Sequence, residues 1–352
     1  MRWDAQELPI GALRERIGCL QGAMERDGLQ AMLLYTNLVR PSAVSYLTGF
    51  TPYWSEGILL VGCNGQPTFA TALSKRVADW IRSVSPLGEI VNDPRPGAVL
   101  GQRVAADAAV KRVGILELDA FPAGSYDDFV SAAPALELVD ATQLFAGVRR
   151  GADAAERRLL ARANVIAGAA MDQVDVAATD EAGSLAGCIE QQARLDGAEE
   201  AYIAIAPDLA SDRRMIRAAP ALALADRFAV RASVAYKGHW IRRTRTFAKD
   251  AAGRAAVARG NDWFAEVLQS LAADKPLGEQ IAGQVRALAG ADLKGWMAES
   301  CLGSYPLQVI AGSRAPRQDF PATGEFLVLT IELSLDGTPW IGAAPLIVGG
   351  GL

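Results

Sequence analysis

The chain has 352 residues, 51% of them apolar and 21% charged, which is enough to bury a large core and to form more than one domain. That composition excludes a disordered chain and a disulfide-stapled miniprotein. Lys plus Arg number 35 against 40 Asp plus Glu, a net charge of −5, so the global basic footprint of a nucleic-acid binder is missing and no nucleic-acid partner is expected.

The first ten residues carry Arg2, Asp4 and Glu7 without a long apolar run, so no secretory signal is expected. Leu13, Ile17, Leu20 and Met24 then recur at three- to four-residue steps, which predicts an amphipathic helix over Leu13–Asp27 closed by Gly28. Ala31–Tyr35 reads as a buried strand, and Gly57–Gly62 with Pro67–Ala72 as a strand pair around the turn Cys63–Gln66. Val113–Leu118 is a further strand and Ser125–Ala132 a short helix. This alternation predicts an α/β domain over residues 1–150.

The texture then changes, which sets a second domain over residues 151–352. Ala152–Val174 and Glu181–Gly197 are long alanine-rich helical stretches, and Phe228–Ala235 and Trp240–Phe247 form a strand pair. Asp262–Ala273 and Leu277–Ala289 are helical, and strands, with Phe326–Leu335 the clearest, run to the end. No apolar run approaches the roughly 20 residues that span a bilayer, so a cytoplasmic protein without a membrane partner is expected. The four cysteines, Cys19, Cys63, Cys188 and Cys301, lack C-x-x-C spacing and read as buried free thiols in a reducing compartment. The single histidine, His239, rules out a multi-histidine metal site within one chain.

Several strings resemble the pita-bread family of creatinase, prolidase, aminopeptidase P and methionine aminopeptidase. Ser45-Tyr46-Leu47-Thr48-Gly49-Phe50 is similar to the Y-L-T/S-G-F string of the creatinase-type N-terminal domain. Tyr236-Lys237-Gly238-His239-Trp240 followed by Thr244-Arg245-Thr246-Phe247 is similar to the family's hairpin, and Thr330-Ile331-Glu332 to the T-I-E that supplies a late metal-binding glutamate. The resemblance implies a small creatinase-type N-terminal α/β domain, a C-terminal pita-bread α+β domain, and a homodimer. It also implies the metal ligands, and here this chain departs. Carried over by position, the two hairpin aspartates fall on Arg231 and Arg242, the histidine on Ser300 and the last glutamate on Gly342, which leaves Glu332 alone of five. Two guanidiniums cannot deprotonate and disfavour a divalent cation, so neither a metal nor another cofactor is expected. The histidine that serves creatinase as acid/base corresponds to Arg213 or Arg214.

Arg231 and Arg242 share a sheet face across the hairpin, and they serve either an anionic ligand or a salt bridge with a carboxylate such as Glu332 that fills the old metal site. Glu332, in an apolar strand, needs a partner, and is either structural glue or a base. His239 is either a satisfied structural histidine or a second acid/base, and Arg245 either structural or substrate-facing. Ser300 and Cys301 occupy the lost histidine string, with Cys301 inert or nucleophilic. Tyr53 and Trp54 form an aromatic lid reaching a partner's pocket or ordinary surface aromatics. Two functions fit: a metal-free enzyme cleaving, eliminating or rearranging a small carboxylate-bearing, amino-acid-like substrate, or a catalytically silent module that binds a peptide or small acid.

Overall fold

The computed structural model describes residues 4–52, 55–86, 88–176, 179–217, 219–273, 275–299 and 321–350. Tyr53, Trp54, Ser300 and Cys301 lie outside the described residues. The described residues divide into two compact units, the first up to Ala155 and the second from Glu156 onward.

In the first unit the elements run α1 (Ile10–Arg26), β1 (Ala31–Thr36), α2 (Ser42–Thr48), β2 (Gly57–Gly62), β3 (Thr68–Thr71), α3 (Ala78–Val84), β4 (Glu89–Asn92), α4 (Pro96–Ala105), β5 (Arg112–Ile115), α5 (Ala123–Ala132), β6 (Glu137–Asp140) and α6 (Thr142–Val148). The strands form one sheet in the order β4-β3-β2-β1-β5-β6. Its central strand β1 is buried on both faces. Met32 and Leu34 pack with Leu13, Ile17 and Leu20 of α1, while Ala31 and Leu33 pack with Leu100 of α4 and Phe129 of α5. That double cover is why AMLLY is a continuous apolar run without alternation.

The Y-L-T-G-F string forms α2 and its stop. Gly49 takes φ 71°, a left-handed turn that a glycine adopts without strain, and its N–H closes on Ser45 O at 2.8 Å. Phe50 beyond it packs edge-on against Phe69 and Trp80. Tyr46 lies under two buried guanidiniums, those of Arg16 and Arg149, 4.4 and 3.8 Å from its ring centre. Arg16 is fixed in turn by Asp153.

The second unit begins with α7 (Ala154–Asp172) and α8 (Ala182–Leu195). It continues through β7 (Glu200–Ala206), β8 (Arg227–Tyr236), β9 (His239–Ala248), α9 (Ala251–Ser270), α10 (Leu277–Ala287), β10 (Ala291–Glu299), β11 (Phe326–Leu335) and β12 (Thr338–Ile347). Neighbouring strands are antiparallel in the order β10-β11-β12-β9-β8-β7. The alternation along β11 shows how the sheet is used. Leu327, Leu329, Ile331, Leu333 and Leu335 join the core made with α9 and α10, whereas Thr330 and Glu332 point to the opposite face. One side of the sheet is covered by helices, and the other, the polar face, carries polar residues at its middle.

The cysteine expectation needs correction: Cys19 and Cys188 are exposed, and Cys63 is half-buried with its thiol donating to Leu29 O at 2.8 Å. Burial pushes the Cys63 thiol up. Among the described residues no helix is long and apolar enough to cross a membrane.

Candidate functional site

One rung of the second sheet crosses all six strands on the polar face. It runs from Met297 through Thr330, Ala343, Thr244 and Arg231 to Ala204, each residue the direct cross-strand partner of the next. Because side chains alternate along a strand, every second residue beside this rung shares its face. On one side lie Glu299, Arg242, Ser233 and Tyr202; on the other lie Glu332 and Ile341.

Arg231 and Arg242 therefore do occupy a common face, diagonally across the hairpin. Their relation to Glu332 differs from expectation. Arg242 donates to Glu299 Oε2 at 2.5 Å, in a pair with side chains only 10% and 22% exposed. Glu332 instead accepts from Arg213 Nη1 at 3.1 Å, both side chains about one-third exposed at 35% and 34%. Arg213 comes from the segment between β7 and β8, where Met215 packs with Leu209, Ala206, Ala229 and Ile341. Glu299 has no counterpart among the sequence candidates.

Three hydroxyls complete the face. Ser233, Thr244 and Thr330 are 1%, 3% and 6% exposed, and none of their hydroxyl oxygens has a hydrogen-bond partner among the described residues. Thr246, two residues from Thr244, shows what satisfaction looks like. Its hydroxyl donates to Ile341 O at 2.9 Å and accepts from Ile341 N at 2.8 Å, tying β9 to β12. The alternation rule applied from Arg231 and Glu332 points to Ser233, Thr244 and Thr330, a signal the motif comparison passes over.

Other sequence candidates lie elsewhere. His239 is on the helix side of β9, with Nδ1 2.9 Å from Lys237 O and Nε2 3.8 Å from Glu156 of α7, whose side chain is fully buried. It cannot act on a molecule held by Arg231, because the sheet stands between them. Arg243 and Arg245 share the helix side: Arg243 donates to Asn164 at 3.1 Å and Arg245 pairs with Asp172. Burial first, and then the Arg245 charge, push Arg243 down, with Asp172 opposing. Arg214 is bound to Asp212 at 2.7 Å with its side chain 85% exposed, so of the two adjacent arginines only Arg213 enters the site. Gly342 faces the helices, where an added Cβ would meet the Trp340 ring at 2.4 Å. On β12 the residues facing the site are Ile341 and Ala343.

A divalent cation does not fit this donor set. Glu332 and Glu299 are each engaged by a guanidinium, and the central rung presents two hydroxyls, two alanine methyls, a methionine and an arginine. Among the described residues no group of three His, Cys, Asp or Glu side chains could hold a metal. The charged groups named on this face are the guanidiniums of Arg213, Arg231 and Arg242 and the carboxylates of Glu332 and Glu299. The arrangement suits an anion approached by hydroxyl donors.

Residues 16–150 match the model of the Creatinase/Prolidase N-terminal domain. No curated protein sequence matches the chain. Among solved structures, an Xaa-Pro dipeptidase from Bacillus anthracis is similar over 96% of this chain and 95% of its own, with a TM-score of 0.70 at 17% identity. An X-Pro aminopeptidase from Thermotoga maritima is similar over 93% and 95%, with a TM-score of 0.72 at 15% identity. The N-terminal domain of the FACT complex subunit SPT16 from chickpea is similar over 96% and 94%, with a TM-score of 0.63 at 13% identity. The first unit is thus a creatinase/prolidase-type N-terminal domain, and the chain has the pita-bread fold of the prolidases.

Proposed function

We propose that this pita-bread chain holds a small carboxylate-bearing, amino-acid-like molecule on the polar face of its second unit, and acts on it as a metal-independent hydrolase or lyase of the creatinase type. The observation that carries this reading is the set of buried hydroxyls at Ser233, Thr244 and Thr330, which have no partner among the described residues and share a face with Arg231. Buried polar groups are almost always hydrogen-bonded, and a ligand carboxylate supplies the missing acceptor. Arg213 and Arg231 complement its charge.

Glu332 is the group placed to move a proton, being on this face and one-third exposed. A ligand carboxylate competing for Arg213 frees Glu332 to act. In the hydrolytic form Glu332 takes a proton from water as the water oxygen bonds to carbon. The C–N bond then breaks and the proton passes to the departing nitrogen. A homodimer is part of the proposal.

The test combines the variant Ser233→Ala/Thr244→Val/Thr330→Val with thermal melts in a panel of small carboxylic acids. Replacing an unpartnered buried hydroxyl by an apolar group of the same shape is neutral or stabilising, so the apo variant is expected to melt at or above the wild type and to lose its ligand response. If no acid raises the wild-type melting temperature, or the variant responds as the wild type does, the reading fails.

A second reading is favoured by the engagement of both site carboxylates, which leaves no base poised in the apo protein: the site binds its molecule without turnover. NMR of N-acyl amino acids incubated for hours with the protein in chelator separates the two. Conversion lost in Glu332→Gln supports the enzyme, and binding without conversion supports the module.

A further inference from the structure

We infer that the same face recognises a planar apolar group as well as a carboxylate, so that its ligands are aryl-bearing amino-acid derivatives of about dipeptide size. This rests on the carboxylate site proposed above. Tyr202 and Trp240 stack with ring centres 5.6 Å apart and planes at 28°. The register puts both rings on the polar face, Tyr202 opposite Ser233 and Trp240 opposite Ala235. They stand on β7 and β9, and the small side chains of β8 between them let the rings lean together across that strand.

A stack serving only the sheet would gain most by burying both rings. Tyr202 instead remains 43% exposed, on the edge strand of the sheet. Ser233, one of the three hydroxyls without a partner, lies at the foot of the stack, so the aromatic surface and the hydrogen-bonding surface are continuous. Trp240 is four residues from Thr244 along β9, about 14 Å at the strand rise. After allowance for the side chains, a molecule of dipeptide length bridges the two. The opposite end of the face is filled by Leu209, Met215 and Ile341, which directs the ring toward Trp240.

The test compares N-benzoylglycine with N-acetylglycine by calorimetric titration. The two share the glycine carboxylate and the amide and differ in the ring. Wild type is expected to bind the benzoyl compound about tenfold more tightly, the scale of one aromatic stack. Tyr202→Ala removes an exposed ring and leaves the sheet core intact, so it is expected to fold. It should cut that preference to about threefold or less, with N-acetylglycine affinity unchanged, and Trp240→Ala should cut it further. Equal binding of the two probes by wild type, or a preference that survives in Tyr202→Ala, overturns the inference while leaving the carboxylate site standing. Failure of both probes to bind at millimolar concentration overturns both.

Discussion

Glu299→Gln is the most informative single perturbation of the polar face, because it strips Arg242 of its carboxylate without changing side-chain size. The Arg242 side chain is 10% exposed and Glu299 22%, with their charged atoms 2.5 Å apart. Removing one partner of a buried pair leaves the other charge desolvated and costs about 3–5 kcal/mol. Glu299 keeps some contact with water, so the lower end, about 3 kcal/mol, is expected. At about 2–4 °C per kcal/mol for a unit of this size, the melting temperature should fall by about 6–12 °C. Arg242→Met should cost less, since Glu299 can turn to solvent, and Arg242→Met/Glu299→Gln should recover most of the loss. Circular dichroism melts of the four proteins close the cycle. A Glu299→Gln protein melting within about 2 °C of wild type would refute the reasoning, since that is under 1 kcal/mol on the same scale. Arg242 would then be held by more than its pair with Glu299.

Gly342→Ala should lower the unfolding free energy read from urea titration by about 1–3 kcal/mol through overpacking. The new methyl would meet the Trp340 ring at 2.4 Å, a ring held by Asn261 and packed edge-on against Phe264. Gly342→Glu should lower it more and bring no manganese or zinc into the purified protein by elemental analysis, since this position faces the helices. Glu199 accepts the Gly238 N–H at 2.8 Å and is pushed up chiefly by burial from an ordinary value of 4.5. A raised folded-state carboxyl contributes stability below its unfolded value and loses it as pH rises through the folded one. Glu199→Gln should therefore flatten the wild-type loss of stability above about pH 4.5 in pH-dependent melts, and an unchanged slope would contradict this. Asp250, capping α9 through Gly253 N and paired with Arg227, is held down at about 2. Its contribution should be present above about 3.8 and be lost as pH falls toward 2, and carboxyl NMR titration reads this directly.

The fold was legible where periodicity was strong and incomplete where contacts decide. The helix over Leu13–Asp27 and the strand Ala31–Tyr35 sit within three residues of α1 and β1 at every end. α2 went unassigned because it is one short helix stopped by a glycine, with no apolar period long enough to read. β5 stops at Ile115 rather than Leu118, since Glu117 turns left-handed at φ 53°. In the site, the hairpin register fixed Arg231 and Arg242 on one face, but partner choice is tertiary. Nothing in the T-I-E string says that Glu332 meets Arg213, 119 residues earlier, or that Arg242 reaches past two strands to Glu299. Strand alternation places His239 and Gly342 on the helix side, a geometry that agrees with the structural alternative for His239.

The distribution of polar groups over the two faces bears on whether the polar face is a relic or a working surface. On the helix side the polar groups close on each other: Arg243 on Asn164, Arg245 on Asp172, and His239 beside Glu156. On the polar face Arg242 and Glu299 close likewise, yet the central rung does not, with Thr244 and Thr330 flanking Ala343 and neither hydroxyl satisfied. Each such group costs about 1–3 kcal/mol when nothing accepts its proton. Valine would remove that cost without changing the shape. A surface retained only for packing has no reason to keep hydroxyls there, whereas one that receives a carboxylate does, because the stability given up in the free protein returns as binding energy when the acceptor arrives.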